Sequence, residues 1–398
     1  MKKLFSLVFC LLFLFIHPLA VSAAESEPET SAPSVLLMDA DTGTILCAKD
    51  ETTERPLASV TKVMTLLLIF EAIDAQQISL NDIVTVSEHA AAMGGSQVYL
   101  EANETQTVET MIKCIVIASA NDASVAMAEY ISGSEDAFVE QMNEKASALG
   151  MEHTHFVNSC GLDADGHYSC ALDIALMSRE LTVNHPKIFD YTSIWMEDIT
   201  HHTAKGDSIF TLSSTNKLLR QYEYATGLKT GSTSQAKFCL AATATKNDVN
   251  LIASVMAAED SAARISDAIS LFEWGFANCR VYIDENTDTL VELPVTGGTD
   301  KSLAIQYSGA FRYLDTTGSA EELTKTFSLP ESLEAPVTEG ETIGRAVYSL
   351  GETEVGEIDI LAAESIPELT LQDAVTQVFR LLFLGRSPDT ANSKQPAV

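Results

Sequence analysis

Residues 59–62, SVTK, stand at the head of an apolar segment, residues 60–73 (VTKVMTLLLIFEAI), which contains neither glycine nor proline. This composition predicts a buried helix that begins at or just before Ser59. Residues three apart share one face of a helix, so the Lys62 amine is expected within reach of the Ser59 hydroxyl. Such a pair can be a nucleophile and its base. The same residues also fit an N-cap serine followed by a lysine whose amine reaches water.

A lysine serves as a base only when its surroundings lower its pKa. At the reference pKa of about 10.4, roughly one lysine in 2,500 is neutral at pH 7. Burial beneath the apolar helix and a nearby second cation would each lower the pKa of Lys62, and full burial can do so by about 3 to 5 pH units. The choice between the two interpretations therefore depends on residues elsewhere in the chain.

A second short motif, Ser119-Ala120-Asn121, lies between two apolar stretches, residues 108–118 and 123–131, that predict helices. A serine and an asparagine in such a break can be no more than cap and turn residues.

The strand pattern predicts an α/β (α+β) architecture with an antiparallel sheet. Residues 34–40 and 44–49 flank Asp41-Thr42-Gly43 and predict a β-hairpin. Residues 237–245 and 249–258 are apolar, β-branched runs that predict two paired central strands, and residues 262–277 predict a closing helix. Helices are further expected at residues 134–149, ended by Gly150, and at 169–183.

Ser59-x-x-Lys62, Ser119-x-Asn121 and Lys229-Thr230-Gly231 stand in the order and approximate spacing of the penicillin-recognising serine acyl-transferases. From about residue 34 to 276 the chain resembles the low-molecular-mass D-alanyl-D-alanine carboxypeptidases, which implies a β-lactamase/transpeptidase-like domain. The stretches that carry this resemblance are Ala58-Ser59-Val60-Thr61-Lys62-Val63-Met64-Thr65, Asn121-Asp122-Ala123, Asn158 with Gly161-Leu162, Gly166-His167-Tyr168-Ser169, Asn216-x-Leu218-Leu219 and Gly227-Leu228-Lys229-Thr230-Gly231.

The resemblance implies catalytic roles for three side chains. Ser59 would attack the carbonyl between two D-alanines and form an acyl-enzyme, with Lys62 accepting its proton. Ser119 would relay a proton to the leaving D-alanine. Asn121 would hold the substrate amide and the amine of Lys62, and Lys229 would lower the pKa of Lys62 as a like charge.

The resemblance also implies a substrate-binding edge. Lys229 and Thr230 would bind the terminal carboxylate, and Gly231 would let the substrate backbone lie close. The oxyanion hole would consist of the backbone N–H groups of Ser59 and Ser232. The implied partners are a peptidoglycan stem peptide ending in D-Ala-D-Ala and β-lactams as covalent inhibitors, with no cofactor.

The chain departs from the family pattern at Ala236-Lys237, where Ala-Gly is usual, and at Cys170, where threonine is common. No E-x-x-L-N stretch follows Asn121, which argues against a class A β-lactamase, so we expect slow penicillin hydrolysis. A β-lactamase or D,D-endopeptidase on the same scaffold remains an alternative, as does a catalytically silent wall-binding protein.

The charge of the chain argues against a nucleic-acid partner, and the spacing of its histidines argues against a metal site. The chain carries 24 basic and 56 acidic residues, a formal charge of −32, so nucleic acid is not expected to bind. His153, His155, His167, His201 and His202 have no acidic or cysteine neighbour at ligand spacing. We expect loop histidines and no metal.

The chain begins with a predicted secretory signal peptide, residues 1–24, because a basic start precedes a short apolar run and small residues. A flexible leader is expected at residues 25–33 and the catalytic domain at 34–278. Residues 279–365 predict a small β-domain. The resemblance implies a β-sandwich-like domain at this position, and a generic all-β module fits the sequence equally well. We therefore expect an extracytoplasmic protein.

Residues 366–386 predict an amphipathic helix with apolar side chains at helical spacing. The segment is too short to span a bilayer but long enough to lie in the interface at the outer face of the cytoplasmic membrane, with Arg380 and Arg386 near headgroups. The alternative is a terminal helix that packs on the β-domain. Residues 387–398 are polar and predict a disordered tail.

Of the seven cysteines, Cys10 lies in the predicted signal peptide. An even number remains for an oxidising exterior, and Cys160 with Cys170 is the candidate disulfide because both lie in one loop region. The other cysteines lie in apolar segments and are expected as buried thiols.

Overall fold

The computed structural model describes residues 27–384, so the predicted signal peptide and the predicted tail lie outside the described residues. The described chain divides into two compact units. The first runs to Ala244 and includes Leu251–Asn278, and the second comprises Thr245–Asn250 and the chain from Cys279 onward.

The first unit is organised around an antiparallel sheet in the order β2-β1-β9-β8-β7, five-stranded among the described residues. Its strands are β1 (Ser34–Asp39), β2 (Ile45–Lys49), β7 (Ala225–Thr233), β8 (Lys237–Lys246) and β9 (Val249–Ala258). The predicted hairpin and the predicted pair of central strands are confirmed. Strands β8 and β9 are apolar on both faces because helices cover the sheet, which explains their unbroken hydrophobic sequence.

Helices flank this sheet and supply most of the core. They are α1 (Lys62–Asp74), α2 (Glu88–Ala91), α3 (Val108–Ile117), α4 (Asn121–Ser132), α5 (Glu135–Ala148), α6 (Ala171–Asn184), α7 (Phe189–Thr192), α8 (Leu218–Gln221) and α9 (Ser261–Asn278), with 3-10 turns at Ala58–Thr61 and Pro186–Ile188. Helix α1 is buried on nearly every side, from Lys62 to Phe70 without interruption. Its all-round apolar sequence is that of a central core helix.

Local capping explains where several helices begin. The Thr107 hydroxyl accepts from the Thr110 N–H at the start of α3, and the Ser134 hydroxyl accepts from the Ala137 N–H at the start of α5. Each bond satisfies a donor that the first turn leaves unpaired.

Two short ribbons complete the first unit: β3 (Ile83–Thr85) with β4 (Thr105–Thr107), and β5 (Met196–Thr203) with β6 (Gly206–Ser213). The prediction that His201 and His202 lie in a loop is wrong, since both are in β5. His201 is buried, and its Nδ1 lies 2.8 Å from Oε1 of the buried Glu104. The sequence MEDITHHT does not predict this strand because it lacks the regular alternation of apolar and polar residues that a half-buried strand usually shows.

The second unit is an all-β domain over most of its length, as the sequence predicts. Its strands are β10 (Arg280–Asp284), β11 (Leu293–Thr296), β12 (Ser302–Leu303), β13 (Ile305–Tyr307), β14 (Phe311–Asp315), β15 (Leu323–Ser328), β16 (Leu333–Glu334), β17 (Thr342–Leu350) and β18 (Thr353–Ala362), with a 3-10 turn at Ala320–Glu322. Tyr348 is its largest buried side chain, and it stacks on Phe311 while its hydroxyl lies within hydrogen-bonding distance of Asp284 Oδ2, at 2.8 Å, and Asn286 Oδ1, at 2.7 Å.

Helix α10 (Leu371–Leu384) follows the strands of the second unit. Several of its apolar side chains are exposed: Leu371 by 85%, Val375 by 58%, Val378 by 55% and Phe379 by 61%. Within residues 27–384, none of the helices combines the length and the hydrophobicity that crossing a bilayer requires.

Two further sequence predictions need correction. Cys160 and Cys170 are free thiols, and each sulfur has its own polar contact: Cys170 Sγ accepts from the Asp173 N–H as the cap of α6, and Cys160 Sγ lies 3.6 Å from Asn158 Oδ1. The predicted flexible leader is fixed at its end, where Asp267 accepts from the N–H groups of Ser31 and Ala32.

Candidate active site

Ser59 lies in the 3-10 turn Ala58–Thr61, and the α-helix proper begins at Lys62. The predicted helical spacing is therefore preserved, although the first turn is tighter than an α-helix. Ser59 is half-buried, whereas Ala58, Val60 and Thr61 around it are buried. Ala58 has a φ of +50°, an unusual conformation for a residue with a side chain that costs about 1 to 2 kcal/mol.

The amine of Lys62 is fully buried and surrounded by acceptors. It donates to Ser59 Oγ at 3.0 Å, to Asn121 Oδ1 at 2.7 Å and to the carbonyl oxygen of Cys160 at 2.6 Å. The Asn121 amide is oriented by its own donor, since Nδ2 donates to the Gly94 carbonyl at 2.7 Å. Two of the three acceptors are carbonyl oxygens, which can only accept.

This arrangement aims the lone pair of a neutral Lys62 at Ser59. A neutral amine keeps two hydrogens, and the carbonyl oxygens of Asn121 and Cys160 hold both. The remaining direction points at the Ser59 hydroxyl. Loss of one proton therefore turns Lys62 from a donor to Ser59 into an acceptor from it, which is what a general base requires.

Burial lowers the pKa of Lys62 from 10.5 to about 8, while the charge of Asp122 raises it. The predicted cause was partly different. Burial is the main cause, as predicted, but Lys229 does not lower the pKa of Lys62. The effect runs the other way, because burial and then the charge of Lys62 lower the pKa of Lys229. The buried Asp122, which accepts from the Leu100 N–H at 3.0 Å, was not identified from the sequence.

Ser119 and Lys229 form a second serine–lysine pair in the same region. Ser119 is buried in the break between α3 and α4 with a φ of +61°, and its hydroxyl accepts from Lys229 Nζ at 2.8 Å. Lys229 also donates to the carbonyl of Thr230 at 3.1 Å. The structure thus brings all three sequence motifs together, since Asn121 joins Ser119 to the Lys62 side of the site.

Strand β7 forms the free edge of the sheet and runs beside the Ser59 turn. A Cβ at Gly231 would lie 2.9 Å from Ser59 N and 2.8 Å from the Leu57 carbonyl oxygen, so only glycine allows this approach. The Thr230 hydroxyl pairs with that of Thr215 at 2.8 Å, and Ser232 is exposed on the same edge.

The loop from Asn158 to Leu162 closes the other side of the site. Asn158 Oδ1 accepts from the N–H groups of Gly161 at 2.6 Å and Leu162 at 3.2 Å, which holds the loop in a tight turn. This turn presents the carbonyl of Cys160 to Lys62. Gly161, at φ +87°, lies directly against the Ala58 carbonyl.

Arg264, in α9, is a functional candidate that was not identified from the sequence. It is buried, and its Nη1 donates to the carbonyls of Gly231 at 3.0 Å and Cys239 at 3.1 Å. The available signal was that Arg264 is the one basic residue in the predicted helix 262–277. Its charge lies behind the strand that carries Lys229 and lowers the pKa of that lysine.

A half-buried serine in contact with a buried lysine one turn away, beside a second serine–lysine pair and a free strand edge, is an arrangement typical of serine hydrolases in which a lysine activates the nucleophile. Comparisons with known proteins identify the family within this class. Residues 21–260 match the family described as D-alanyl-D-alanine carboxypeptidase, and residues 283–368 match the C-terminal domain of penicillin-binding protein 5.

Individual relatives agree with these family matches. The chain is 36% identical to D-alanyl-D-alanine carboxypeptidase DacF of Bacillus subtilis, covering 92% of this chain and 95% of that protein. It is 30% identical to DacC of Escherichia coli over 89% of this chain and 90% of that protein. Penicillin-binding protein 5 of Haemophilus influenzae superposes with a TM-score of 0.69 at 29% identity, covering 86% and 99% of the two chains. The chain belongs to the D-alanyl-D-alanine carboxypeptidase family and is a serine-type hydrolase.

Proposed function

We propose that this protein removes the terminal D-alanine from peptidoglycan stem peptides through an acyl-enzyme on Ser59, and that β-lactams inhibit it by acylating the same serine. The observation that carries the proposal is the buried amine of Lys62, held by Asn121 and Cys160 with its remaining direction toward the Ser59 hydroxyl.

In the first step, neutral Lys62 takes the Ser59 proton as Oγ bonds to the carbonyl carbon between the two D-alanines. The resulting oxyanion would be stabilised by the N–H groups of Ser59 and Ser232, and one such donor is typically worth about 2.7 to 4 kcal/mol. The closeness of Gly231 to Ser59 N supports this pairing, because it brings β7 against the turn.

In the second step, the C–N bond breaks and the leaving D-alanine needs a proton on its nitrogen. Ser119 can give its hydroxyl proton to that nitrogen and take one from Lys229, with which it shares a hydrogen bond of 2.8 Å. The proton that Lys62 took from Ser59 then returns to Lys229 by way of solvent, so that both lysines regain their starting states. Water attacks the ester carbonyl while neutral Lys62 accepts its proton, and Lys62 passes that proton to Ser59 Oγ as the ester bond breaks and the shortened peptide leaves. The sum of these steps is hydrolysis of one peptide bond.

The terminal carboxylate of the substrate would bind at the β7 edge. Lys229 and Thr230 provide donors there, and the buried Arg264 adds positive charge behind Gly231. This site requires a free C-terminal carboxylate, so it favours a carboxypeptidase over a D,D-endopeptidase. A β-lactam places its own carboxylate in the same position, which explains inhibition.

The proposal is tested by incubating the protein with a peptide ending in D-Ala-D-Ala and, separately, with penicillin. We expect D-alanine release and one penicillin adduct on Ser59 by mass spectrometry, and Ser59→Ala should lose both. Absence of both in the wild-type protein would leave only a wall-binding role. Rapid consumption of penicillin would indicate a β-lactamase instead, and cleavage only of cross-linked peptides an endopeptidase.

We further propose that the chain is exported through residues 1–24 and associates with the outer face of the cytoplasmic membrane through α10. The exposed apolar side chains of α10, Val375 and Phe379 among them, support this location. A short helix with one apolar face can lie in the interface without spanning the bilayer.

Val375→Ser combined with Phe379→Ser should weaken binding of the full chain to anionic phospholipid vesicles by at least about tenfold, since each buried apolar side chain contributes about 1.5 to 3 kcal/mol. Sedimentation with vesicles measures the effect. The control replaces the exposed polar residues Gln372 and Thr376 with serine in the same helix. Equal binding by both double variants would refute the membrane role of α10.

A further inference from the structure

A buried hydrogen-bond chain runs from His167 through Thr61 to the carbonyl of Ala58. His167 Nε2 lies 2.8 Å from Thr61 Oγ1, and Thr61 Oγ1 lies 2.8 Å from the Ala58 carbonyl oxygen. His167 is also 2.9 Å from the Val157 N–H through Nδ1, and its ring packs edge-on against Phe156. None of these side chains touches the Lys62 amine or the Ser119 pair described above.

The direction of each hydrogen bond in the chain is determined. Nδ1 of His167 accepts from the Val157 N–H and so carries no hydrogen. The neutral ring must therefore carry its hydrogen on Nε2 and donate to Thr61 Oγ1. With that lone pair occupied, Thr61 gives its own hydrogen to the carbonyl of Ala58.

The Ala58 carbonyl and the Ser59 N–H belong to one peptide group. In a planar trans peptide these two bonds point in opposite directions, so a donor that holds the carbonyl also sets the direction of the N–H. The Ser59 N–H is the donor assigned above to the oxyanion hole, and Ser59 N faces β7 at Gly231. Ala58 stands at φ +50°, a conformation that needs support from its surroundings.

We infer that His167 is a positioning residue for acyl transfer: through Thr61 it holds the Ala58–Ser59 peptide group in the orientation that aims the Ser59 N–H at the developing oxyanion. This role rests on the proposed function of Ser59. It differs from the roles proposed for Ser59, Lys62 and Ser119 because His167 acts on the oxyanion donor indirectly, through the Thr61 hydroxyl and the Ala58 carbonyl.

The surroundings keep His167 in the required neutral form. Burial, and next the charge of His155, lower its pKa to about 4, and Asp163 opposes them. The ring therefore remains a one-way donor to Thr61 at every pH at which Lys62 can act as a base.

Two substitutions of His167 separate the effects of its two hydrogen bonds, the one to Thr61 and the one to Val157. Gln places an amide N–H near the Nε2 position and can still donate to Thr61, whereas Asn places an oxygen near Nδ1 and can accept only from Val157. Each loses one buried bond, so a purely structural role predicts similar losses for both. Thr61→Val removes the hydroxyl at constant shape, and Thr182→Val is the control, because its buried hydroxyl bonds only within α6.

The experiment measures kcat and KM for D-alanine release, the rate of penicillin acylation at saturation, and thermal unfolding. His167→Asn and Thr61→Val should lower kcat and acylation by about 10- to 100-fold, a fraction of the loss of a whole oxyanion donor, with KM little changed. His167→Gln and Thr182→Val should stay within about threefold of the wild type.

Equal activity of His167→Asn and His167→Gln would overturn the inference, as would a Thr61→Val enzyme with wild-type kcat. A loss of activity that merely follows the unfolding temperature across all four variants would overturn it too. An active wild type with unaffected variants refutes only the positioning role, whereas an inactive wild type refutes the proposed function and this inference together.

Discussion

Replacing Lys62 with methionine should reduce acylation of Ser59 by penicillin by about a thousandfold or more, because general-base catalysis and its coupling to the nucleophile are lost together. Methionine fits the buried position by shape and leaves no unpaired charge. The carbonyl oxygens of Asn121 and Cys160 lose their donor, so some stability is lost as well. The measurement is the rate of adduct formation followed by mass spectrometry.

The pH profile separates the base from a merely structural lysine. With a pKa of about 8, Lys62 is mostly protonated at neutral pH and its amine then donates to Ser59. The acylation rate at saturating penicillin should rise about tenfold per pH unit up to about pH 7 and level off above about pH 9. Saturation matters because the pKa of Lys229 is also lowered, and its protonation would affect binding.

Two controls make the result specific. Lys62→Arg keeps a cation that cannot be deprotonated and should be as inactive as Lys62→Met. Lys145→Met removes a partly buried lysine that pairs with Glu71 and Glu180 away from the site, and it should acylate normally. A rate that is flat from pH 6 to 9, or an active Lys62→Met enzyme, would exclude Lys62 as the base.

The sequence predicts the parts of this site that are local. Ser59 and Lys62 are three residues apart in one element, so their contact follows from helical geometry alone. The apolar runs of β8 and β9 likewise predict their own pairing, since the turn at Asn247-Asp248 leaves them adjacent. The assembly of the three motifs around one centre came from the resemblance and not from periodicity.

What the sequence did not predict depends on contacts between distant segments. Arg264 lies 33 positions beyond Gly231, and being the one basic residue of its helix does not by itself indicate that it reaches a carbonyl of β7. His167 looks like one of several loop histidines until the fold places it 2.8 Å from Thr61. The β5–β6 ribbon was not predicted for the same reason, because the buried His201 contacts Glu104, which is distant in the chain, and Phe210 on the paired strand.

Gly161→Ala should be the most damaging small substitution in the chain outside the reacting groups. The added Cβ would overlap the carbonyl group of Ala58 and lie 2.8 Å from Thr61 Oγ1, and the φ of +87° is itself unfavourable for alanine. Backbone strain and overpacking together should lower the free energy of unfolding by about 2 to 5 kcal/mol. Denaturant titration measures this loss.

Gly150→Ala is the matched control. Gly150 has a φ of +71°, but a Cβ there would meet nothing within 4 Å. Its substitution should therefore lower the free energy of unfolding only by the cost of a left-handed backbone conformation for alanine, about 1 to 2 kcal/mol, and leave acylation unchanged. The difference between the two variants isolates the contact between Gly161 and the Ala58 carbonyl.

The effect of Gly161→Ala on activity should exceed what its stability loss explains. The displaced carbonyl belongs to the same peptide group as the Ser59 N–H, and the loop that moves also presents the Cys160 carbonyl to Lys62. One methyl group would thus disturb the oxyanion donor and the orientation of the base together. Acylation should fall by about 100-fold or more in the fraction of protein that remains folded. If Gly161→Ala matched Gly150→Ala in both unfolding and acylation, the Asn158–Leu162 loop would have no part in holding the Ser59 turn.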